Sequence, residues 1–202
     1  MLKNVKSSLD KIAKSLEASH QAREYLIKNT RDIVILCSQS IIAVHKGDLK
    51  LARKNVLMAK KLLAKYKKSA KGDLVRYLVT PEQEIVEAAS LISIVEGKPI
   101  PSVESVGVSD ESYILGLLDC IGELKRLIYD KIRIGKTSES VRFFEIMENL
   151  YLILYPFATY DKIVKETRKK LDVNRILVEE TRSALTEEIR RAKLIDAINK
   201  IK

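Results

Sequence analysis

Tryptophan is absent from this 202-residue chain, and aromatic residues make up only 5% of it. There are two cysteines, two histidines, four prolines and seven glycines. Each scarcity excludes something. Cys37 and Cys120 form no CxxC pair and no disulfide framework, so they read as small buried hydrophobes in a reducing compartment. Zinc sites need more Cys or His than this chain offers. Glu17 and His20 make a single Glu-x-x-His step. A di-iron bundle needs two, and the residue three before His45 is Ile42. His20 and His45 are therefore expected as plain surface or core histidines. No local motif supports a Ser-His or Cys-His nucleophile. Gly135-Lys-Thr-Ser mimics the tail of a phosphate-binding loop, but it lacks the upstream glycine and the preceding strand, and it reads as a helix-end turn. No run reaches the roughly 18 apolar residues of a membrane span, and MLKNVKSSLDKIAKS is too polar for a secretory leader. The expectation is a cytoplasmic protein without membrane contact.

Hydrophobic residues form 46% of the chain and charged residues 32%. With so little Gly and Pro, this favours long helices over a β-sandwich. Apolar positions from Ser7 or Ser8 to about His45 recur at three- and four-residue steps, among them Leu9, Ile12, Leu16, Leu26, Ile33 and Ile41. Gly47-Asp48 ends that helix and caps a second over about 49–69. A third pattern covers about 73–96. Pro81 divides it, with Thr80 as N-cap of the restarted piece. Residues 97–108 read as irregular. A fourth helix runs from Ser109 or Asp110 to about Ile134, a fifth covers 137–155 up to Pro156, and a last covers about 172–200. The predicted fold is all-α: one domain over 1–202, an antiparallel bundle of about seven helices with a very long first helix.

Charge is unevenly placed. The whole chain carries +10, with 37 Lys and Arg against 27 Asp and Glu. Residues 82–123 hold nine acids and one base. A basic body around an acidic window suits a metal-dependent enzyme acting on a polyanion: the body attracts phosphates and the acids hold the metal. Glu82, Glu96, Glu104, Asp110 and Glu111 read as solvated acids. Glu84, Glu87, Asp119 and Glu123 differ, because they lie in the apolar stretches QEIVEAASLISIV and YILGLLDCIGELKRLI. Glu84 and Glu87 are three apart, Asp119 and Glu123 four apart. Each pair shares a helix face, separated by about 60° and 40° around the axis and about 4.5 and 6 Å along it. Four carboxylates converging without cationic partners require protons or a cation, and oxygen-only ligation suits Mg²⁺ or Mn²⁺. On the basic side, Arg31, Lys46, Arg53 and Lys54 are candidates for phosphate contact, with a plain solvated face as the alternative.

Four segments in order resemble the translin superfamily, and within it the Trax-like branch, from about Ser8 to Arg190. They are NTRDIVILCSQSIIAVHKGD (29–48), TPEQEIVEAASL (80–91), GLLDCIGELKR (116–126) and KKLDVNRILVEETRSALTEEIRR (169–191). The resemblance implies a Mg²⁺-dependent ribonuclease site made by Glu84 and Glu87 of Glu-x-x-Glu and by Asp119 and Glu123 of Asp-x-x-x-Glu. It implies single-stranded RNA as substrate, with single-stranded DNA as a further ligand. Assembly into an octamer-like shell is implied too, either of this chain alone or with a translin-like partner subunit. Translin proper binds nucleic acid without this acidic set, so the alternative expectation is a non-catalytic RNA- or DNA-binding oligomer.

Overall fold

Side-chain caps start some helices of this chain and not others. The structure is a computed structural model and describes residues 2–201. The first helix, α1 (Lys3–His45), runs unbroken because nothing in it interrupts the backbone hydrogen bonding. It starts a turn earlier than Ser7. Gly47, at φ +80°, closes it: its N–H donates to Val44 O, and the Asp48 N–H to Ala43 O. This left-handed turn lets Asp48 cap α2 (Leu49–Lys67) by accepting from the Leu51 N–H at 2.9 Å.

Between α2 and α3 the chain departs from expectation. Gly72–Leu78 is a 3-10 segment, and α3 spans Val79–Val95. The break near Pro81 is real but lies upstream of Thr80, and no side chain caps the helix. Pro81 is the third residue of α3, where its missing N–H has no intrahelical acceptor to lose. Within 97–108, expected to be irregular, Val103–Val106 forms the one-turn helix α4, capped by Ser102 and closed by Gly107 at φ +75°. Ser109 caps α5 (Asp110–Arg133), which is followed by α6 (Thr137–Leu154). Pro156 sits in a 3-10 segment, Tyr155–Tyr160, and α7 covers Thr167–Asn199, beginning five residues before the expected start.

The bundle centres on α3 and α5. Helix α3 lies against α1, α2 and α5; α5 lies against α3, α6 and α7. Ile85, Leu91, Leu118, Ile121, Leu124, Ile128, Phe143 and Met147 are fully buried between them. Gly116 permits the closest approach, since a Cβ there would lie 2.5 Å from Gln83 O and 2.7 Å from Val86 Cβ. Burial on α1 begins only at Leu26, while Leu9, Ile12 and Leu16, which continue its apolar pattern, are exposed. No helix among the described residues is long and apolar enough to cross a membrane.

Candidate functional site

The α3–α5 packing brings together the four acids singled out by spacing. Glu84 and Glu87 face the α5 side, Asp119 and Glu123 the α3 side, and all four are half-buried. Their charges act on one another. Burial, then Asp119, Glu84 and Glu123, push the Glu87 carboxyl up to about 8. Glu84 is raised by burial and by Asp119 and Glu123, against the pull of Lys170. Asp119 is raised by burial, again with Lys170 opposing. Helix α1 forms a third wall. The Cys37 thiol is pushed up by burial and by Glu84 and Glu87, and Cys120 by burial and by Glu87, Glu123 and Asp119. Both cysteines are fully buried, as small hydrophobes would be.

Two of the acids meet basic side chains, and here sequence reasoning missed two residues. Lys170 of α7 donates its ammonium to Asp119 Oδ1. His45, the last residue of α1, places Nε2 2.7 Å from Glu123 Oε2. Arg126 is 3.7 Å from the same oxygen. His45 is thus neither a surface histidine nor an apolar core one. Lys170 lies 51 residues from Asp119 and His45 lies 78 from Glu123, so no helical spacing connects them. The only local hint was His45's place one residue before the turn that begins at Lys46. Among the described residues, no three Asp, Glu, His or Cys side chains stand together as a ready-made ion cage. Asp119 offers Oδ1 to Lys170 and Glu123 offers Oε2 to His45, which leaves the second oxygen of each outside these contacts.

Both acid-bearing helices and Lys170 fall within residues 73–182, which match the Translin family. The chain belongs to the Translin family. It is 34% identical over 182 residues to an uncharacterized protein of Methanocaldococcus jannaschii, covering 89% of this chain and 82% of that protein. Its fold is similar to the crystal structure of AfC3PO, with a TM-score of 0.83 at 31% identity, covering 93% of this chain and 99% of the other. AfC3PO in complex with duplex RNA matches with a TM-score of 0.82 at 29% identity, over 93% of this chain and 98% of that one. The apo form of NeC3PO shares the fold, with a TM-score of 0.75 at 20% identity.

Elsewhere on this Translin-family chain, the four basic candidates are all exposed, but they are not equivalent. Arg53 is ion-paired to Glu96, whose other oxygen takes Lys98 at 2.8 Å. Arg31, Lys46 and Lys54 make no ion pair among the described residues. Part of the basic face of α2 serves structure instead. Lys60 donates to Ser105 O, and Lys67 to Gly107 O and to Glu82 at 2.7 Å. Glu82, expected as a solvated acid, is buried, where it also accepts from the Ser109 N–H and hydroxyl at 2.9 and 2.8 Å. Burial opposes its charge, yet these bonds hold its carboxyl below the usual range. It ties α2 and the N-terminus of α5 to α3. Glu96 is likewise largely covered, while Glu104 and Asp110 are exposed and Glu111 is half-buried.

Proposed function

We propose that this Translin-family chain is a Mg²⁺-dependent endoribonuclease that cuts single-stranded RNA and works as a homo-oligomer. The observation that carries the reading is the half-buried carboxylate cluster of α3 and α5, in which burial and then the neighbouring acids hold Glu87 up to about 8. Gathering four half-buried carboxylates is costly, and such a cluster is expected where a further cation completes it. The donor set fits the ion: four carboxylates, all oxygen, suit a hard divalent cation, Mg²⁺ or its substitute Mn²⁺. Glu84, Glu87, Asp119 and Glu123 would hold it. When bound, the ion supplies Lewis acidity and makes water a nucleophile near neutral pH.

The chain's own side chains do the rest. Water attacks phosphorus, and the bond from phosphorus to one ribose oxygen breaks. Glu123 accepts the proton of the attacking water, and the departing oxygen takes a proton from solvent. Lys170, at the rim of the cluster with about a quarter of its side chain exposed, donates to a phosphoryl oxygen and offsets charge building there. Arg31, Lys46 and Lys54 contact phosphates along the strand and position it without reading bases. The exposed apolar stripe of Leu9, Ile12 and Leu16 gives a second copy, or a translin-like partner subunit, a surface to cover.

A second reading is an RNA-binding oligomer that does not cut. Two observations favour it: the acids form no ready-made ion cage, and the similar AfC3PO is described in complex with duplex RNA. Cleavage of labelled single-stranded RNA with Mg²⁺ and with EDTA, beside the Glu84→Gln/Glu87→Gln variant, separates the two. The nuclease reading expects metal-dependent cleavage that falls to below about a hundredth in the folded variant, since first ligands matter at least as much as the partners behind them. Binding in every condition without cleavage would leave the non-catalytic oligomer.

A further inference from the structure

Helix α5 carries two acids one heptad apart, Glu123 and Asp130, on the side that meets the end of α1. The His45 ring lies between them. Its Nε2 is 2.7 Å from Glu123 Oε2, and its Nδ1 is 3.2 Å from Asp130 Oδ2. Only 6% of the His45 side chain is exposed, against 23% for Glu123 and 34% for Asp130. Asp130 is held in turn by Arg133, whose guanidinium donates to Oδ1 at 3.2 Å. His45 is the last residue of α1, and the Gly47 turn follows it.

We infer that His45 is the positioning residue of the acid cluster: with Asp130 behind it, it fixes the direction of the Glu123 carboxylate. The inference rests on the nuclease reading above. A glutamate has three side-chain torsions and, left free, points its oxygens in many directions. Glu123 Oε2 is engaged by His45. Among the described residues the one further basic side chain near it, Arg126, stands off at 3.7 Å and is more than half exposed. Holding Oε2 leaves Oε1 for the cation or the attacking water. Asp130 has no contact with Glu123 and works through the ring, as a carboxylate behind a histidine sets its orientation at metal centres. The same contact fastens the end of α1 to α5, so a purely structural role is the competing explanation.

The test uses the full chain and three variants: His45→Ala, His45→Gln and Asp130→Asn. Mn²⁺ affinity is read by paramagnetic resonance titration, kcat and KM on labelled single-stranded RNA, and the melting temperature alongside. A positioning role predicts that His45→Ala loses about 10–100-fold in Mn²⁺ affinity and in kcat, with KM for RNA unchanged. His45→Gln, which keeps a donor toward Glu123, recovers most of that loss. Asp130→Asn lowers kcat severalfold alone and has no further effect on top of His45→Ala, as expected for residues acting as one unit. If His45→Ala does not fold, His45→Gln and Asp130→Asn decide, because a role in positioning requires Asp130→Asn to lower kcat. Unaltered Mn²⁺ affinity and kcat in the His45 variants, beside a wild type that binds and cuts, overturn the positioning role alone, whatever the melting temperatures. A wild type that neither binds Mn²⁺ nor cuts RNA overturns the nuclease reading and this role with it.

Discussion

Glu87 ties the chemistry of the cluster to the stability of the protein. Its carboxyl is held up to about 8, first by burial and then by Asp119, Glu84 and Glu123. In the unfolded chain it titrates as an ordinary glutamate, near 4.3. Between those values the native state holds a proton that the unfolded state has released, so stability is full below the lower value and falls as pH rises toward the upper one. Glu84 and Asp119 are raised as well and act in the same direction. In EDTA the contribution of Glu87 to the melting temperature should therefore fall steadily from about pH 4.3 to about pH 8. Mg²⁺ should restore most of it at the upper end, and Glu87→Gln should flatten the slope. An equally steep slope in the variant would remove Glu87 as the cause. At this scale the acids themselves were legible, because charged residues in apolar helical stretches stand out from the pattern. Lys170 and His45 were not, because each reaches its partner from a distant helix, and neither charge nor spacing in the sequence marks such a meeting.

At the scale of elements, the separation of α3 and α5 decides whether four carboxylates form one cluster or two. Gly116 sets that separation. By helix propensity, Gly116→Ala should stabilise α5 by about 1 kcal/mol. The new Cβ, however, would lie 2.5 Å from Gln83 O, a backbone atom inside α3, and 2.7 Å from Val86 Cβ. Backbone cannot rotate out of the way, and such overpacking costs about 1–3 kcal/mol. The steric effect should win, lowering the denaturation midpoint and reducing metal-dependent cleavage by moving one pair of acids away from the other. A variant as stable and active as wild type would show that the helices have slack here. Some helix ends were readable from sequence: Asp48 and Ser109 cap helices as expected, whereas Gly72-Asp73, which repeats the Gly-Asp signal, opens a 3-10 segment without a side-chain cap, and Ser102 caps a turn inside a stretch read as irregular. Ends set by packing were not. Helix α3 starts at Val79 behind buried Leu78, not at the Thr80 cap, and α7 starts from the left-handed Glu166.

For the whole molecule, the most conspicuous feature is apolar surface without a partner in one chain. Leu9, Ile12 and Leu16 are 58%, 52% and 64% exposed along the first turns of α1, on a helix too long for the bundle it belongs to. A stripe at helical spacing is expected to be covered in solution. Replacing Leu9, Ile12 and Leu16 together by Asp should lower the mass measured by light scattering while leaving the helical content near that of wild type. An unchanged mass would place the contact between copies elsewhere, for example along the exposed Leu194, Ile195 and Ile198 of α7.

By itself the sequence determined the all-helical class, the long first helix and the two pairs of acids. These rest on local periodicity, and a helix presents residues three or four apart on one face whatever surrounds it. Tertiary structure alone decided that the two pairs met and which basic side chains joined them. It also decided which acids were buried and which apolar stripe was left uncovered. Those outcomes depend on how closely α3 approaches α5 over Gly116, and on where α1 and α7 bring His45 and Lys170, which are contacts between residues far apart in the chain.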